Sequence, residues 1–312
     1  MECIKRRLLF AAAETYGEPE PDETRKAGWL SPPVTIEREK GSLLDLADRM
    51  PELKIDRVLV GRIAEGILVA FRGTLPPRVL FDAGGLASAI DWINSGSALL
   101  RRGGAYPGRV HEGFSESLQR LWDDGTAPDG MPETGLEAEL NRLLADGGPR
   151  RLFITGHSKG GALAVLFAWR ASETWPELRP QVMTIAAPRA GDGDFAAAFA
   201  GKEIDCLRYE VEGDLVPSLP FGADTPAEFS GPLGRLGVQI TDYVGYAPVG
   251  VAKVERLKGG FVGNLIGRIG AFFTGGGFEL TVAKSHFITK GARYDKWICA
   301  GDGCAHDWAR AE

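Results

Sequence analysis

The stretch Arg151-Leu-Phe-Ile-Thr-Gly-His-Ser-Lys-Gly-Gly-Ala-Leu-Ala-Val-Leu-Phe-Ala-Trp169 reads as a strand, a tight turn and a helix. Residues 152–155 are short, apolar and partly β-branched, the pattern of a strand buried on both faces of a parallel sheet, and 162–169 are too apolar for a surface segment. Gly156 and Gly160 flank Ser158 as G-x-S-x-G. Small residues there let strand and helix approach closely while the serine takes a strained backbone conformation that presents its Oγ. With 42 glycines in 312 residues, about 0.2 such matches arise by chance, so the bare pattern carries little weight. The weight rests on the strand-turn-helix context and on partners in the right chain order; the competing reading is an ordinary serine in a glycine-rich turn.

Upstream, residues 57–61 and 66–71 form two apolar runs joined by a short turn, an expected antiparallel pair. The second runs into Arg72-Gly73-Thr74, at the sheet end where an α/β fold offers backbone N–H groups to a ligand. Residues 75–110 are a long excursion with Leu86, Ile90 and Ile93 at helical spacing, and helices are expected from 110 to 122 and from 136 to 144, the latter closed by Gly147-Gly148. Downstream come a strand at 181–185, a turn at 187–191, a helix at 194–200 and a strand at 206–211 that leads to Asp214. This alternation predicts a mostly parallel central sheet flanked by helices. The alanine-rich residues 8–16 start a helix, and 18–40, dense in Pro, Glu and Asp, read as a surface loop. Residues 259–277 mix glycines with six apolar side chains and read as packing over the sheet edge, with a lipid-facing flap as the alternative.

Hydrophobic residues make up 44% and charged residues 25% of the chain, an ordinary globular balance, and one α/β domain over 1–312 with a tail at 296–312 is expected. A net charge of −6 without a long basic run argues against a nucleic-acid partner. The apolar run near the amino terminus spans only six residues, shorter than a secretory core needs, which favours the cytoplasm and leaves leaderless export open. No segment approaches the roughly 20 apolar residues of a membrane span. Cys3, Cys206, Cys299 and Cys304 are too few for a disulfide scaffold. Cys299 and Cys304 beside His306 lack a second ligand pair, so free thiols are expected rather than zinc, and neither metal nor cofactor is called for.

A nucleophilic serine needs a neutral imidazole within hydrogen-bond reach and a carboxylate to fix the tautomer of that ring. Among four histidines, His111 precedes the serine and His157 adjoins it, pointing away in a tight turn, whereas His286 and His306 follow. The hydrolase order is serine, acid, histidine, and Asp214, just past a parallel strand, suits the middle place.

The chain resembles the fungal-type, or class 3, lipases over most of residues 55–295. The motifs are Val69-Ala-Phe-Arg-Gly-Thr74, Asp91-Trp92, Val110-His-Glu-Gly-Phe114, Gly156-His-Ser-Lys-Gly-Gly161, Ala187-Pro-Arg-Ala-Gly191 and Asp214-Leu-Val-Pro-Ser-Leu-Pro220. The resemblance implies an α/β-hydrolase fold with Ser158 as nucleophile, Asp214 as acid and a late histidine as base. It also implies an oxyanion hole from the backbone N–H groups of Thr74 and Lys159, helped by the Thr74 hydroxyl. His286 is preferred because Lys284-Ser-His-Phe287, with Tyr294 beyond, resembles the family's late histidine and tyrosine; His306 is second. Position 159 is more often leucine in the family, and lysine there is expected to alter the pocket rim. The family carries a lid where residues 75–110 lie.

The activity so implied is hydrolysis of acylglycerol or similar lipid esters, at a lipid–water interface and through an acyl-enzyme. Phospholipase A1 and small-ester esterase are alternatives, and a catalytically dead lipase-like binding module is the rival from outside the enzymes.

Overall fold

The computed structural model describes residues 3–17, 26–38, 56–73, 99–102, 104–126, 131–202, 204–212, 214, 216–220, 245–256, 286, 288 and 292–300. Seven strands form the main sheet in simple chain order: β1 (Val34–Arg38), β2 (Asp56–Ile63), β3 (Gly66–Phe71), β4 (Leu152–His157), β5 (Pro180–Ile185), β6 (Asp205–Val211) and β7 (Val251–Glu255). β1, β2 and β3 pair antiparallel, and every pairing from β3 to β7 is parallel. The expected mostly parallel sheet is therefore present, with an antiparallel margin.

Two helical layers cover it, and the strands sort their side chains between them with period two. In β3, Ile67, Val69 and Phe71 face the layer of α2 (Glu112–Trp122), α3 (Leu136–Ala145), α4 (Lys159–Thr174) and α5 (Gly193–Ala200). Leu68 and Ala70 face α1 (Ile4–Glu14) and α6 (Arg293–Cys299) on the opposite side. With both faces buried, β3 is apolar throughout, and β4 and β5 are buried at every position although they carry Thr155, His157, Gln181 and Thr184. α4 is buried along nearly its whole length, and its early Gly and Ala residues let it lie close over the sheet. α1 buries Leu8, Leu9, Ala11 and Ala12 completely, and Arg7 ties it to the β2–β3 turn through Glu65 at 2.5 Å.

One expectation is corrected. Residues 34–38 are not surface loop but edge strand β1, hidden in the sequence because its buried hydrophobic side chain is Ile36 alone. Cys3 is disulfide-bonded, its partner lying outside the described residues, whereas Cys206 and Cys299 are free thiols. The region 259–277 and the tail from 301 also lie outside the described residues.

Candidate active site

The turn between β4 and α4 is held in backbone contact on both sides. A Cβ on Gly156 would lie 2.2 Å from the Gly160 carbonyl oxygen, and one on Gly160 would lie 2.2 Å from the Phe71 carbonyl oxygen. Glycine at both positions lets β3, β4 and the first turn of α4 meet. Between them Ser158 adopts φ 56°, ψ −132°, a region that costs a side-chain-bearing residue on the order of 1–3 kcal/mol. The strain is held by Ser158 N–H donating to the Ile185 carbonyl at 2.9 Å and Gly161 N–H to the Ser158 carbonyl at 2.8 Å. Lys159 is the first residue of α4, so its N–H belongs to the positive end of the helix dipole, a setting suited to an anion.

Asp214 follows β6 at the carboxyl end of the sheet, where its N–H donates to the Val211 carbonyl. Its carboxylate accepts three hydrogen bonds: from Val216 N–H at 3.0 Å on Oδ1, and from the Tyr294 hydroxyl and His286 Nδ1, each at 2.9 Å, on Oδ2. A carboxylate in this setting accepts, so His286 carries its proton on Nδ1 and leaves Nε2 as the acceptor, the tautomer of a general base. Tyr294 reaches Asp214 from α6, and Val211 N–H donates to its hydroxyl at 3.0 Å. Burial, then the Asp214 charge, pushes the Tyr294 phenol well above its ordinary value, so it remains a donor.

His157 points away from Ser158, as the turn requires, but into the site's supporting structure. Its Nδ1 meets the Tyr16 hydroxyl at 2.6 Å and its Nε2 meets the His286 backbone carbonyl at 2.7 Å, with the two imidazole centroids 4.7 Å apart. Burial, followed by the neighbouring His286, holds its pKa well below the usual histidine range. Through His157 the structure brings His286 against the elbow. No hydrogen bond joins Ser158 to His286 among the described residues; such contacts often tighten only with substrate.

Lys159 does not reach the pocket rim. Its side chain is 1% exposed and turns inward, where Nζ donates to Asp56 Oδ1 at 2.5 Å. Arg120 from α2 meets the other Asp56 oxygen at 2.7 Å. Burial alone would raise the Asp56 carboxyl, but Lys159 and Arg120 outweigh it and hold the pKa at about 2. A charged head cannot stay buried unpaired, so the aspartate at the start of β2 explains why lysine can stand where leucine is usual.

Thr74, residues 75–98 and 103 of the expected lid excursion, and His306 lie outside the described residues. His111 serves structure: Nδ1 caps α2 by accepting from Phe114 N–H at 3.3 Å, and the ring stacks on Phe114. Tyr16 and Asp56 were missed as neighbours of the site, since neither lies in a motif and both reach it from far along the chain.

The family model Lipase (class 3) matches residues 68–223, half of the chain. No curated protein matches it. Among solved structures, a lipase from Rhizopus microsporus var. chinensis superposes with a TM-score of 0.52 at 20% identity, over 80% of this chain and 72% of that one. A triacylglycerol lipase described as having a serine protease triad at its catalytic centre gives 0.51 at 20% identity, over 80% and 78%. The nonglycosylated LIP2 lipase of Yarrowia lipolytica gives 0.50 at 19% identity, over 80% and 77%. At such identities the likeness is one of fold, the α/β-hydrolase fold. The family match, which runs from β3 through the elbow and Asp214, goes further: the chain belongs to the class 3 lipases, serine hydrolases of carboxylic esters.

Proposed function

We propose that the protein cleaves acylglycerols or similar lipid esters with Ser158 as nucleophile, His286 as general base and Asp214 as the acid that orients it. The observation that carries this is the His286 Nδ1–Asp214 Oδ2 bond of 2.9 Å, set beside a strained serine at a helix start. In the proposed cycle His286 Nε2 takes the Ser158 hydroxyl proton as Oγ attacks the ester carbonyl. The tetrahedral oxyanion is met by the backbone N–H groups of Lys159 and Thr74. The imidazolium, stabilised by Asp214, then protonates the departing alcohol, and water, activated by the same histidine, releases the acid.

No helix among the described residues is long and apolar enough to cross a membrane. From the family match, substrate is proposed to be met at a lipid–water interface, with residues 75–110 covering the site in water and opening at lipid. Exposing an apolar face costs about 25 cal/mol per Å² in water and much less against lipid, so an interface shifts the population toward the open form. The disulfide at Cys3 weighs toward an oxidising compartment over the cytoplasm.

The test is a hydrolysis panel of p-nitrophenyl esters, triacylglycerols and phospholipids on purified protein, each run through the substrate's solubility limit. Acylglycerol turnover that rises once droplets form supports the reading. Turnover confined to phospholipid sn-1 esters or to short soluble esters replaces it with phospholipase A1 or plain esterase, and no turnover with any ester leaves a binding module.

A further inference from the structure

The amino-terminal helix reaches into the site through one side chain that the hydrolytic reading does not use. Tyr16 stands in the turn that closes α1, its N–H bonded to the Ala13 carbonyl, and its hydroxyl lies under the end of β3. Gly73 N–H donates to that hydroxyl. The contact is so close that a Cβ on Gly73 would sit 2.2 Å from the Tyr16 oxygen, 2.6 Å from the His157 carbonyl oxygen and 3.0 Å from Ser158 Cβ.

Hydrogen-bond direction is fixed by chemistry. The His286 carbonyl can only accept, so His157 Nε2 carries the ring proton. A neutral imidazole then has a bare Nδ1, and the Tyr16 hydroxyl must donate to it. Burial keeps the ring neutral and the phenol protonated, so the directions do not change over ordinary pH. The result is one chain: Gly73 N–H to Tyr16, Tyr16 O–H to His157, His157 N–H to the His286 carbonyl.

We propose that Tyr16 and His157 are positioning residues of the hydrolytic site, their relay fixing the Gly73 backbone and the His286 backbone relative to Ser158. The proposal rests on the reading of Ser158, Asp214 and His286 given above. Asp214 anchors the His286 ring at Nδ1 and His157 anchors its main chain at the carbonyl. Two anchors at opposite ends of one residue leave its Nε2 little freedom. The same relay ends one residue before the expected oxyanion donor Thr74, so both halves of the machinery refer to the elbow through His157. Misplacing reacting groups by roughly an ångström is enough to cost large factors in rate without weakening substrate binding.

Tyr16→Phe removes only the hydroxyl, His157→Phe removes both ring nitrogens, and His157→Gln keeps a donor toward the His286 carbonyl. Each is assayed with p-nitrophenyl butyrate for kcat and KM, with the melting temperature measured alongside and Ser158→Ala as control. Tyr16→Phe is expected to lower kcat about tenfold with KM within about twofold. His157→Phe is expected to do at least as much, His157→Gln to recover part of it, and the Tyr16→Phe/His157→Phe double variant to be no worse than His157→Phe alone. Folded single variants with kcat within about twofold of wild type, or losses that multiply in the double variant, overturn the relay while the triad stands. If wild-type hydrolysis is absent or survives in Ser158→Ala, the functional reading fails and the relay with it.

Discussion

Lys159 Nζ stands 2.5 Å from Asp56 Oδ1 directly behind the Ser158 turn, and Arg120 holds the other oxygen of the same carboxylate at 2.7 Å. Two cations thus depend on one buried anion. Asp56→Ala removes the anion that both meet and is expected to cost about 3–5 kcal/mol of stability. Lys159→Met leaves Asp56 still paired with Arg120 and is expected to cost clearly less. Urea unfolding of the three proteins checks the order; equal losses would mean that the aspartate is not the centre of the cluster.

The same carboxylate gives stability a pH dependence. Its folded pKa of about 2 lies below the ordinary 3.8, so its contribution is full above the ordinary value and is lost as pH falls through the folded one. The stability difference between wild type and Asp56→Asn is therefore expected to be flat above about pH 5 and to shrink between about pH 4 and pH 2. A difference that holds constant through that window would contradict the ion-pair account.

Ser158 at φ 56° sets function against stability. Ser158→Gly and Ser158→Ala both remove the hydroxyl, but glycine relieves the backbone strain while alanine keeps it. Strain of about 1–3 kcal/mol exceeds the roughly 0.4–1 kcal/mol that glycine loses through the unfolded chain, so the glycine variant is expected to be the more stable by about 1 kcal/mol. Melting curves of the two variants measure this directly, and a less stable glycine variant would refute stored strain at the turn.

How far the sequence revealed these features depended on how local each signal was. The elbow was legible because Gly156, Gly160 and two buried runs lie within 19 consecutive residues, 151–169. Asp214 was legible because it follows a β-rich run, and β5 and β6 stand where periodicity put them. The direction of the Lys159 side chain was not legible, since its partner lies 103 residues away. Nor was Tyr16, whose bond to His157 spans 141 residues and which in sequence marked only the end of a helix. β1 escaped because an edge strand with one buried hydrophobic side chain has the composition of a loop. Long-range pairing of polar groups leaves no periodicity to read.

Tyr294 and His286 meet the same Asp214 oxygen but do unequal work. Tyr294→Phe removes one donor of three to the carboxylate and the acceptor of Val211 N–H, and is expected to lower kcat about three- to tenfold with a loss of about 1 kcal/mol in stability. His286→Ala removes the proposed base and is expected to lower kcat by about 10⁴-fold or more, as much as Ser158→Ala, because the members of a triad act as a unit. Steady-state kinetics with a soluble ester separates them. A silent His286→Ala beside an inactivating His306→Ala would move the base to the tail.

The most direct test of the central claim is intact-mass and peptide mapping after reaction with a fluorophosphonate, which captures a serine only when a neighbouring base activates it. The account predicts one phosphonyl group per chain, on the peptide that carries Ser158, formed together with loss of ester hydrolysis, absent in Ser158→Ala and slowed by orders of magnitude in His286→Ala. An actively hydrolysing protein that is labelled at another residue, or not at all, would contradict it.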